Sequence, residues 1–359
     1  MGDAGSGQAT ATLINSTVTD NTAASAGGGI GLSIAGGVAG RASVTVSGSQ
    51  IAGNHSGFGG GIDAGISAID DGAAALTVSN STIEGNAGDQ RGGGLDITAS
   101  TRSSFPLPPG PSIRAAARVT VTASTISGNF GGALGGGLYF NLGSDAAFSA
   151  GTVQASVNAS TIDGNSVGFD GGGIYAQEVG SANSTATLTV TNSTLFGNDG
   201  GSSSAQGGGL FNTARGPDST TGVTLLRVTV AFNVAAAGGG IVADAGHFTV
   251  RSSIVADNVA LFGSGPDALG NFISGGHNLI GNTFASTGFD GGDLTGTSGN
   301  PLDPLFGDFG NFGGPTNTLS LLSGSPAIGH GDLAGPATDQ RGVARSRTAP
   351  SIGAFEFTG

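Results

Sequence analysis

The stretch "NSTLFGNDGGSSSAQGGGLF", residues 192–211, decides the fold because both of its halves recur along the chain. It opens with a seven-residue motif that ends at Asn198, and it closes with a glycine triplet followed by a hydrophobic residue. Copies of the seven-residue motif end 24 to 43 residues apart. Their final residues are Asn21, Asn54, Asn86, Asn129, Asn165, Asn198, Asn233, Asn258 and Asn282.

A glycine triplet followed by Ile or Leu accompanies each of the first seven motifs. These tetrapeptides occupy residues 27–30, 59–62, 92–95, 135–138, 171–174, 207–210 and 238–241. Seven paired matches in one register indicate a repeat architecture, in which each unit buries its hydrophobic face only against neighbouring units. The chain is therefore predicted to be a solenoid.

Short alternating runs precede most motifs, as in "SVTVSGS" (43–49) and "TLTVTNS" (187–193). Alternation of β-branched residues with Thr or Ser indicates a strand with one buried face, and no stretch follows the period of a helix. A unit of three short strands without a helix is one turn of a parallel β-helix. The sequence thus predicts an all-β, right-handed parallel β-helix of about nine coils, roughly 43 Å long at the usual strand spacing.

The recurring asparagines and glycines are expected to form the corners of the coils. Asparagine tolerates a left-handed backbone, and its amide both donates and accepts hydrogen bonds. We therefore expect the nine asparagines to stack as an interior ladder. The glycine triplets are expected to supply positive φ angles and a corner at which coils approach closely.

Two segments interrupt the repeat. The repeats are predicted to span residues 1–282, with a proline-rich loop at about 101–117 that is either a partner-binding arm or a tolerated insertion. Residues 283–359 are predicted to cap the open end of the solenoid, with 351–357 as a final strand. The aromatic residues expected to cover the last coil are Phe306, Phe309, Phe312, Phe355 and Phe357.

Charge excludes several classes of partner. Eleven basic residues, all of them Arg, oppose 24 acidic residues and give a net charge of −13. Binding to nucleic acid or to an anionic membrane through a basic surface is therefore not expected, and no apolar run is long enough to span a membrane. The expected partner is a surface glycan or a protein. Self-association through the open amino-terminal coil is a further expectation.

A catalytic site is not predicted. Asp70 and Asp71 are adjacent and suit a turn, and His330 lies far from them in the sequence. The four histidines occupy unrelated repeat positions. No cofactor is expected apart from a structural calcium ion, for which carboxylates are the preferred ligands. The calcium candidates are Asp290, Asp293, Asp303 and Asp308.

Threonines on the alternating strands point to a different kind of site. They fall on the outward face, where stacked coils would align their hydroxyl groups in rows. Such a face suits ice or a glycan, although Thr is also a common outward residue of strands, and Gln154 with Ser156 interrupts the series. The residues of this predicted face are Thr45, Thr77, Thr120, Thr122, Thr189 and Thr191.

The last hundred residues carry a further set of motifs. These are "GHNLIGN" (276–282), "DPLFG" (303–307), "NFGGPT" (311–316), "GSPAIGHGD" (324–332), "ATDQRG" (337–342) and "IGAFEF" (352–357). In this order they resemble the choice-of-anchor Q region at the end of bacterial surface β-helix proteins, from which His330 departs. The upstream repeats are similar to the coils of polymorphic outer-membrane proteins. The resemblance implies export and a place outside the cell or on the bacterial surface.

The leading hypothesis is therefore a non-catalytic secreted or cell-surface rod used for display or adhesion. Two alternatives stay open. One is a carbohydrate-active β-helix enzyme, either a lyase or a hydrolase. The other is a protein that binds ice or glycans through the outward Thr and Ser residues.

Overall fold

The chain folds as a parallel β-helix, as the repeat predicted. A computed structural model describes residues 7–102, 115–144, 151–179, 185–215 and 222–359. These residues contain strands β1 to β36, numbered in chain order, and no helix. The described part therefore has no helix that could cross a membrane. The predicted proline-rich loop falls largely on residues 103–114, outside the described residues.

Three long parallel sheets form the walls, and each coil is numbered by its strand in sheet A. Sheet A contains β1 (Gln8–Ile14), β4 (Arg41–Ser47), β8 (Ala73–Ser79), β12 (Ala116–Thr122), β16 (Thr152–Asn158), β20 (Thr185–Thr191), β23 (Gly222–Leu226), β27 (His247–Arg251) and β31 (Ile273–Ser274). Sheet B contains β2 (Thr17–Thr19), β5 (Gln50–Ala52), β9 (Thr82–Glu84), β13 (Thr125–Ser127), β17 (Thr161–Asp163), β21 (Thr194–Phe196), β24 (Thr229–Ala231), β28 (Ile254–Ala256), β32 (Leu279–Ile280) and β34 (Leu294–Thr295). Sheet C contains β3 (Ile30–Gly36), β7 (Ile62–Ile69), β11 (Leu95–Arg102), β15 (Leu138–Ser144), β19 (Ile174–Val179), β22 (Leu210–Arg215), β26 (Ile241–Ala243), β30 (Ala268–Asn271) and β33 (Ser286–Thr287).

Shorter strands complete the architecture. Four of them line the corner between sheets B and C: β6 (His55–Phe58), β10 (Ala87–Arg91), β14 (Phe130–Gly131) and β18 (Ser166–Val167). At the same corner further along, β25 (Val234–Ala237) pairs with β29 (Val259–Ser264). An antiparallel pair, β35 (Phe306–Gly310) and β36 (Thr318–Leu321), lies in the carboxyl-terminal segment.

The core is a slender column of small apolar side chains. Alternation places every second residue of a strand inside, and the parallel register stacks identical positions of successive coils. In sheet A, for example, Val46, Val78 and Val121 are stacked neighbours, and each is at most 1% exposed. Since each coil contributes only a thin layer, its burial depends on the coils above and below it.

The asparagine ladder exists, and it has a direction. From Asn21 onward, the backbone N–H and the side-chain Nδ2 of each asparagine donate to Oδ1 of the asparagine in the next coil, at 2.8–3.1 Å. Nδ2 also donates to a main-chain carbonyl, as from Asn165 to Ile126. Eight of the nine predicted asparagines, Asn21 to Asn258, form this continuous series.

The ninth predicted member, Asn282, does not continue the series. Asn258 donates through both nitrogens to Oδ1 of Asp267, at 3.0 and 2.9 Å. The backbone N–H of Asn282 donates to the same carboxylate, while Oδ1 of Asn282 accepts from Phe284. A carboxylate fits the end of the ladder because the last member must accept hydrogen bonds without passing one on.

A second ladder, of serines, runs along the corner between sheets A and B. The backbone N–H of one serine donates to the hydroxyl of the serine in the next coil, for example from Ser81 to Ser124 at 3.2 Å. The series contains Ser16, Ser49, Ser81, Ser124, Ser160 and Ser193. It resumes after Val228 with Ser253 and Asn278, and it ends at Asp293. Both ladders therefore end on an aspartate.

The left-handed residues are not the ladder asparagines, contrary to the expectation for these corners. None of the nine has a positive φ, whereas the residue before each of the first eight does, as at Gly53 with φ 63°. The residue before each ladder serine behaves in the same way, as at Asn80 with φ 48°. One left-handed residue turns the chain, and the next residue directs its polar side chain into the corner.

Each position of a glycine triplet excludes a side chain for a different reason. The first has the predicted positive φ, 73° at Gly171. A Cβ on the second, Gly172, would lie 2.6 Å from a carbonyl oxygen of the next coil. A Cβ on the third, Gly173, would lie 2.6 Å from the carbonyl oxygen of Gly209 and 3.1 Å from Nδ2 of Asn198. The third glycine thus packs directly on the asparagine ladder of the following coil.

The carboxyl-terminal segment does not cap the last coil with the predicted phenylalanines. It folds back along the outer surface of sheet B, where Phe309 stacks on Phe196 at 4.1 Å and Phe306 lies 6.0 Å from Phe232. The end of the core is instead occupied by Phe289, which stacks on Phe272.

Two further observations revise the predicted carboxyl-terminal segment. Residues 351–357 are mostly buried, but they form no strand. The solenoid itself continues past residue 282, because β33 and β34 still pair with β30 and β32.

Buried side chains join the returning segment to coils 5 to 8. Gln340, 1% exposed, donates through Nε2 to the carbonyl oxygen of Asn317 at 2.8 Å and to the hydroxyl of Thr161 at 3.0 Å, and its Oε1 accepts from Thr194 at 2.6 Å. Further along, Ala354 donates its N–H to the hydroxyl of Thr229 at 3.0 Å. The segment therefore covers sheet B over the second half of the solenoid and leaves the sheet B residues of coils 1 to 4 uncovered.

We predict that Gly173→Ala destabilises the fold by about 1–3 kcal/mol or more. The added methyl group would press on a backbone carbonyl and on the Asn198 amide, and neither can shift without disturbing the neighbouring coils. The matched control is Gly65→Ala on β7, where the nearest atom would be the carbonyl oxygen of Leu32 at 3.8 Å. That control is expected to change stability by less than about 1 kcal/mol. Thermal and urea unfolding measure both, and equal effects would contradict the packing argument.

Candidate functional site

The outward surface of sheet A carries an unbroken column of hydroxyl groups. The parallel register aligns one residue from each of coils 1 to 8. We call this the hydroxyl column, and its members are Thr12, Thr45, Thr77, Thr120, Ser156, Thr189, Thr224 and Thr249. Seven are half-buried and Thr12 is exposed. Consecutive members repeat at about 4.8 Å, the spacing of paired strands.

The columns on either side are mixed. Thr122 and Thr191, which were predicted as part of the same face, lie in one flanking column with Ser79 and Asn158. Gln154 lies in the other flanking column, beside Arg118. Gln154 and Ser156 were expected to interrupt the series of hydroxyl groups. Because Ser156 itself carries a hydroxyl, the hydroxyl column continues through it, and only the flanking column of Gln154 is interrupted. Ser156 Oγ lies 3.4 Å from Oγ1 of Thr120 and 3.3 Å from the carbonyl oxygen of Val119.

The four predicted calcium ligands do not come together. Asp293 ends the serine ladder, where its Oδ1 accepts from Asn278 and its Oδ2 accepts from Ser274 at 2.7 Å. Asp290 and Asp303 each accept a backbone N–H two residues ahead. No group of three or more His, Cys, Asp or Glu residues suited to a metal occurs within the described residues. The calcium site stays a prediction.

Asp70 and Asp71 lie in the turn between β7 and β8, as predicted, and both have positive φ. His330 lies about six coils away, roughly 30 Å along the axis at the usual strand spacing. These three residues therefore do not form one site.

The structure does bring two of the four histidines together. His277 and His330 line a groove of about 370 Å³ where the returning segment meets the last coils. Nδ1 of His277 lies 2.9 Å from the carbonyl oxygen of His330. A carbonyl only accepts, so Nδ1 must carry the proton in this contact, and Nε2 of neutral His277 is left as a base. Sequence spacing alone offered no signal for this pair, because the long carboxyl-terminal segment brings it together.

A stacked column on sheet C also escaped the sequence reasoning. Tyr139, Tyr175 and Phe211 occupy equivalent positions of three coils and stack at 5.4 and 5.3 Å. The guanidinium of Arg91 lies 4.8 Å from the Tyr139 ring, and its Nε donates to Asp96 at 2.7 Å. All three rings are at most 6% exposed, so the column stabilises the wall of the solenoid. The available signal was an aromatic residue one place after three consecutive re-entering hydrophobes, Leu138, Ile174 and Leu210.

Burial raises the pKa values of several carboxyl groups. Burial raises the pKa of Asp96 and of Asp163 to about 6 and that of Asp267 to about 7. Glu178 points into the core and is 0% exposed, and burial raises its pKa to about 8. No other described residue hydrogen-bonds either of its carboxyl oxygens. At neutral pH the Glu178 side chain is therefore mainly protonated.

These pKa values predict an acid-favoured fold. Because the folded-state values lie above those of the unfolded chain, the native state binds more protons, and its stability falls as pH rises from about 4 to 8. We predict that Glu178→Gln removes part of this slope, with a stability gain over the parent that grows to a few kcal/mol by pH 9, at about 1.4 kcal/mol per pKa unit. Urea unfolding from pH 4 to 9 tests this, with Glu84→Gln as the control on an outward position. A parental stability that rises through this range would refute the prediction.

Comparison with known proteins adds no family assignment. A scan against protein-family models found no match, and searches of curated proteins and of solved structures found none either. The resemblance to the choice-of-anchor Q region therefore stays a prediction that rests on the quoted motifs, and the function has to be argued from the molecule's own surfaces.

Proposed function

We propose that this protein is a non-catalytic rod that adheres to glycans through the hydroxyl column of sheet A. The observation that carries the proposal is the continuous register of Thr and Ser over eight coils. A rigid parallel sheet holds these groups at a fixed repeat. A polysaccharide chain lying along the rod would meet many equivalent contacts.

Hydroxyl groups suit this task because each donates one hydrogen bond and accepts others. Sugar hydroxyls have the same capacity, so pairing does not require charge. A single such contact is weak, with a net contribution of about 1 kcal/mol. Repetition along one rigid surface makes the contacts effectively intramolecular after the first has formed, which raises the overall affinity.

The protein is proposed to be non-catalytic because its buried acidic side chains have structural roles. A glycosidase needs two carboxyl groups facing each other across a sugar bond. Asp267 and Asp293 end the two ladders, and Asp96 is paired with Arg91. Glu178 lies inside the solenoid. These buried carboxyls are part of the framework and do not face a common groove.

The location outside the cell or on the bacterial surface belongs to the same proposal. It is supported by the motif resemblance of the last hundred residues and by the suitability of a rigid rod for display. An acidic surface with a net charge of −13 also favours solubility over attachment to anionic polymers.

Ice binding is the less favoured use of the same face. A crystal surface requires a match in two directions, and only one column of sheet A is uniform. The flanking columns contain Arg118, Gln154, Asn158 and His247, whose long or charged side chains break the lattice.

A carbohydrate-active enzyme is the second candidate function, and the groove of His277 and His330 favours it. Nε2 of neutral His277 is a base that could take a proton from a sugar bound in this groove. Release of oligosaccharides from a polysaccharide panel, lost in both His277→Ala and His330→Ala, would establish this function in place of the adhesive one.

The adhesive proposal predicts that Thr77→Arg on sheet A reduces glycan binding about tenfold or more. The arginine side chain would stand between Thr45 and Thr120 and hold a sugar chain away from the hydroxyl column. Thr82→Arg is the matched control, since it places the same residue in the same coil on sheet B, whose outer face is uncovered there. Binding is measured on a glycan array and then by calorimetry with the glycan retained.

Two results would count against the proposal. One is equal loss of binding in Thr77→Arg and Thr82→Arg, which would point to general charge or stability effects. The other is an array on which no glycan is retained by the parent protein. Inhibition of ice recrystallisation that is lost only in Thr77→Arg would assign the same face to ice instead.

A further inference from the structure

Five of the chain's eleven arginines gather where residues 332–347 pack on the corner between sheets A and B. They are Arg227, Arg251, Arg341, Arg345 and Arg347. Three described carboxylates lie among them, and each already has an arginine partner. Asp332 binds Arg251, Asp339 binds Arg341 at 2.7 Å, and Glu356 lies 3.4 Å from Arg345. Among the described residues, no carboxylate lies within ion-pair distance of Arg227 or Arg347.

Arg227 is the unusual member of this cluster. It is the largest fully buried side chain of the described residues, at 1% exposure. Its Nη2 donates to the main-chain carbonyl of Asp332, while Nε and Nη1 have no hydrogen-bond partner. Burying a guanidinium costs several kcal/mol unless an opposite charge and hydrogen bonds compensate it. Among the described residues, Arg227 has one hydrogen-bonded carbonyl and no carboxylate in ion-pair contact, and Asp332 and Glu356 attract it only from a greater distance.

Arg227 is also one of the residues that line a cavity of about 340 Å³. Arg345 and Arg347 line it too, together with Thr338 and Ser346. This volume lies within the range of small-ligand sites. Burial lowers the pKa of Arg227; attraction to Asp332 and Glu356 opposes that effect, and repulsion from Arg251 adds to it. Burial and then repulsion from Arg227 lower the pKa of Arg345 to about 10. Five arginines and three carboxylates give this cluster an excess of positive charge, within a protein that is acidic overall.

We propose that this cavity binds an oxyanion, either the carboxylate or sulfate group of an acidic sugar or a free inorganic anion. Guanidinium groups recognise planar and tetrahedral oxyanions through paired N–H donors. Arg227 supplies the buried charge with unused donors, and Arg347 supplies an exposed charge at the mouth. Thr338 and Ser346 add polar groups at the wall. The site lies on a corner of the rod, so its existence does not depend on the hydroxyl column.

Thermal unfolding and calorimetry of the full chain test this inference, with sodium glucuronate and sodium sulfate as the probes and with sodium acetate and sodium phosphate as comparison anions. Glucose and sodium chloride at matched ionic strength are the reference additives. The parent protein is expected to be stabilised by at least one of the two anions, and Arg227→Met and Arg347→Ala are each expected to weaken binding about tenfold or more. Arg41→Ala, an exposed arginine on β4, is the control and should bind as the parent does.

The two probes separate the sources of the anion. Preference for glucuronate over sulfate and acetate assigns the site to an acidic sugar, and equal binding of sulfate and phosphate without sugar selectivity assigns it to inorganic anions. Arg227→Met also distinguishes an arginine that binds a ligand from one that only stabilises the fold. Without anion this variant should be at least as stable as the parent, since replacing an incompletely compensated buried charge by an apolar side chain relieves its desolvation.

The inference is overturned if neither anion shifts the midpoint beyond sodium chloride, or if Arg227→Met and Arg347→Ala bind the anions as tightly as Arg41→Ala does. Loss of folding in Arg227→Met would leave the decision to Arg347→Ala, whose side chain is exposed.

Discussion

The asparagine amide at the corner of each coil is the interaction on which the rest of the solenoid depends. It accepts two N–H groups from the preceding coil and donates to the following one, so one side chain connects three layers. The third glycine of the triplet lies against this amide, and a Cβ at Gly173 would come within 3.1 Å of Asn198. The asparagine and the glycine triplet therefore recur together, because the asparagine amide needs the space that a side chain on the third glycine would fill.

The direction of the hydrogen bonds determines which residue can end each ladder in the last coils. Each ladder amide donates to the acceptor in the next coil. The last member of a ladder therefore needs to accept hydrogen bonds but has no further ladder residue to which it could donate. Asp267 and Asp293 meet this requirement as acceptor groups at the ends of the two series. The cost is a desolvated carboxyl group, which appears as the raised pKa of Asp267. Asp293, one of the four predicted calcium ligands, also ends a hydrogen-bond chain.

Periodicity made the fold predictable, and it also set the limit of what could be predicted. The strands, the inward hydrophobic positions, eight ladder asparagines and the first glycine of each triplet all repeat, so each copy confirmed the others. The serine ladder repeats as well, but Ser is so common on outward strand positions that its inward role left no distinct signal. The left-handed positions were assigned one residue too late, because Gly, Asp and Phe share them and no single residue type marks them.

The returning segment could not be predicted from the pattern, since it occurs once. A cap over the last coil was a sound expectation from the need to cover a strand edge, yet its phenylalanines instead stack on Phe196 and Phe232 of sheet B. Gln340 alone contacts two coils, which a terminal cap could not do. The histidine pair and the arginine cavity both lie where this segment meets the solenoid, so they too were beyond sequence spacing.

Under the proposed function, sheet A is the recognition face because the other two walls are regular over fewer coils or carry buried aromatic rings. The returning segment covers sheet B in coils 5 to 8, and the rings of Tyr139 and Tyr175 are buried in the wall of sheet C. In sheet A the hydroxyl column keeps its register through coils 1 to 8. A rod that must present a regular surface needs its irregular, once-occurring elements elsewhere, and the segment that forms the arginine cavity lies on the corner next to that surface. The two proposals therefore place recognition of a repeating polymer on the repeated strands, and recognition of a single anion on the carboxyl-terminal segment that occurs once.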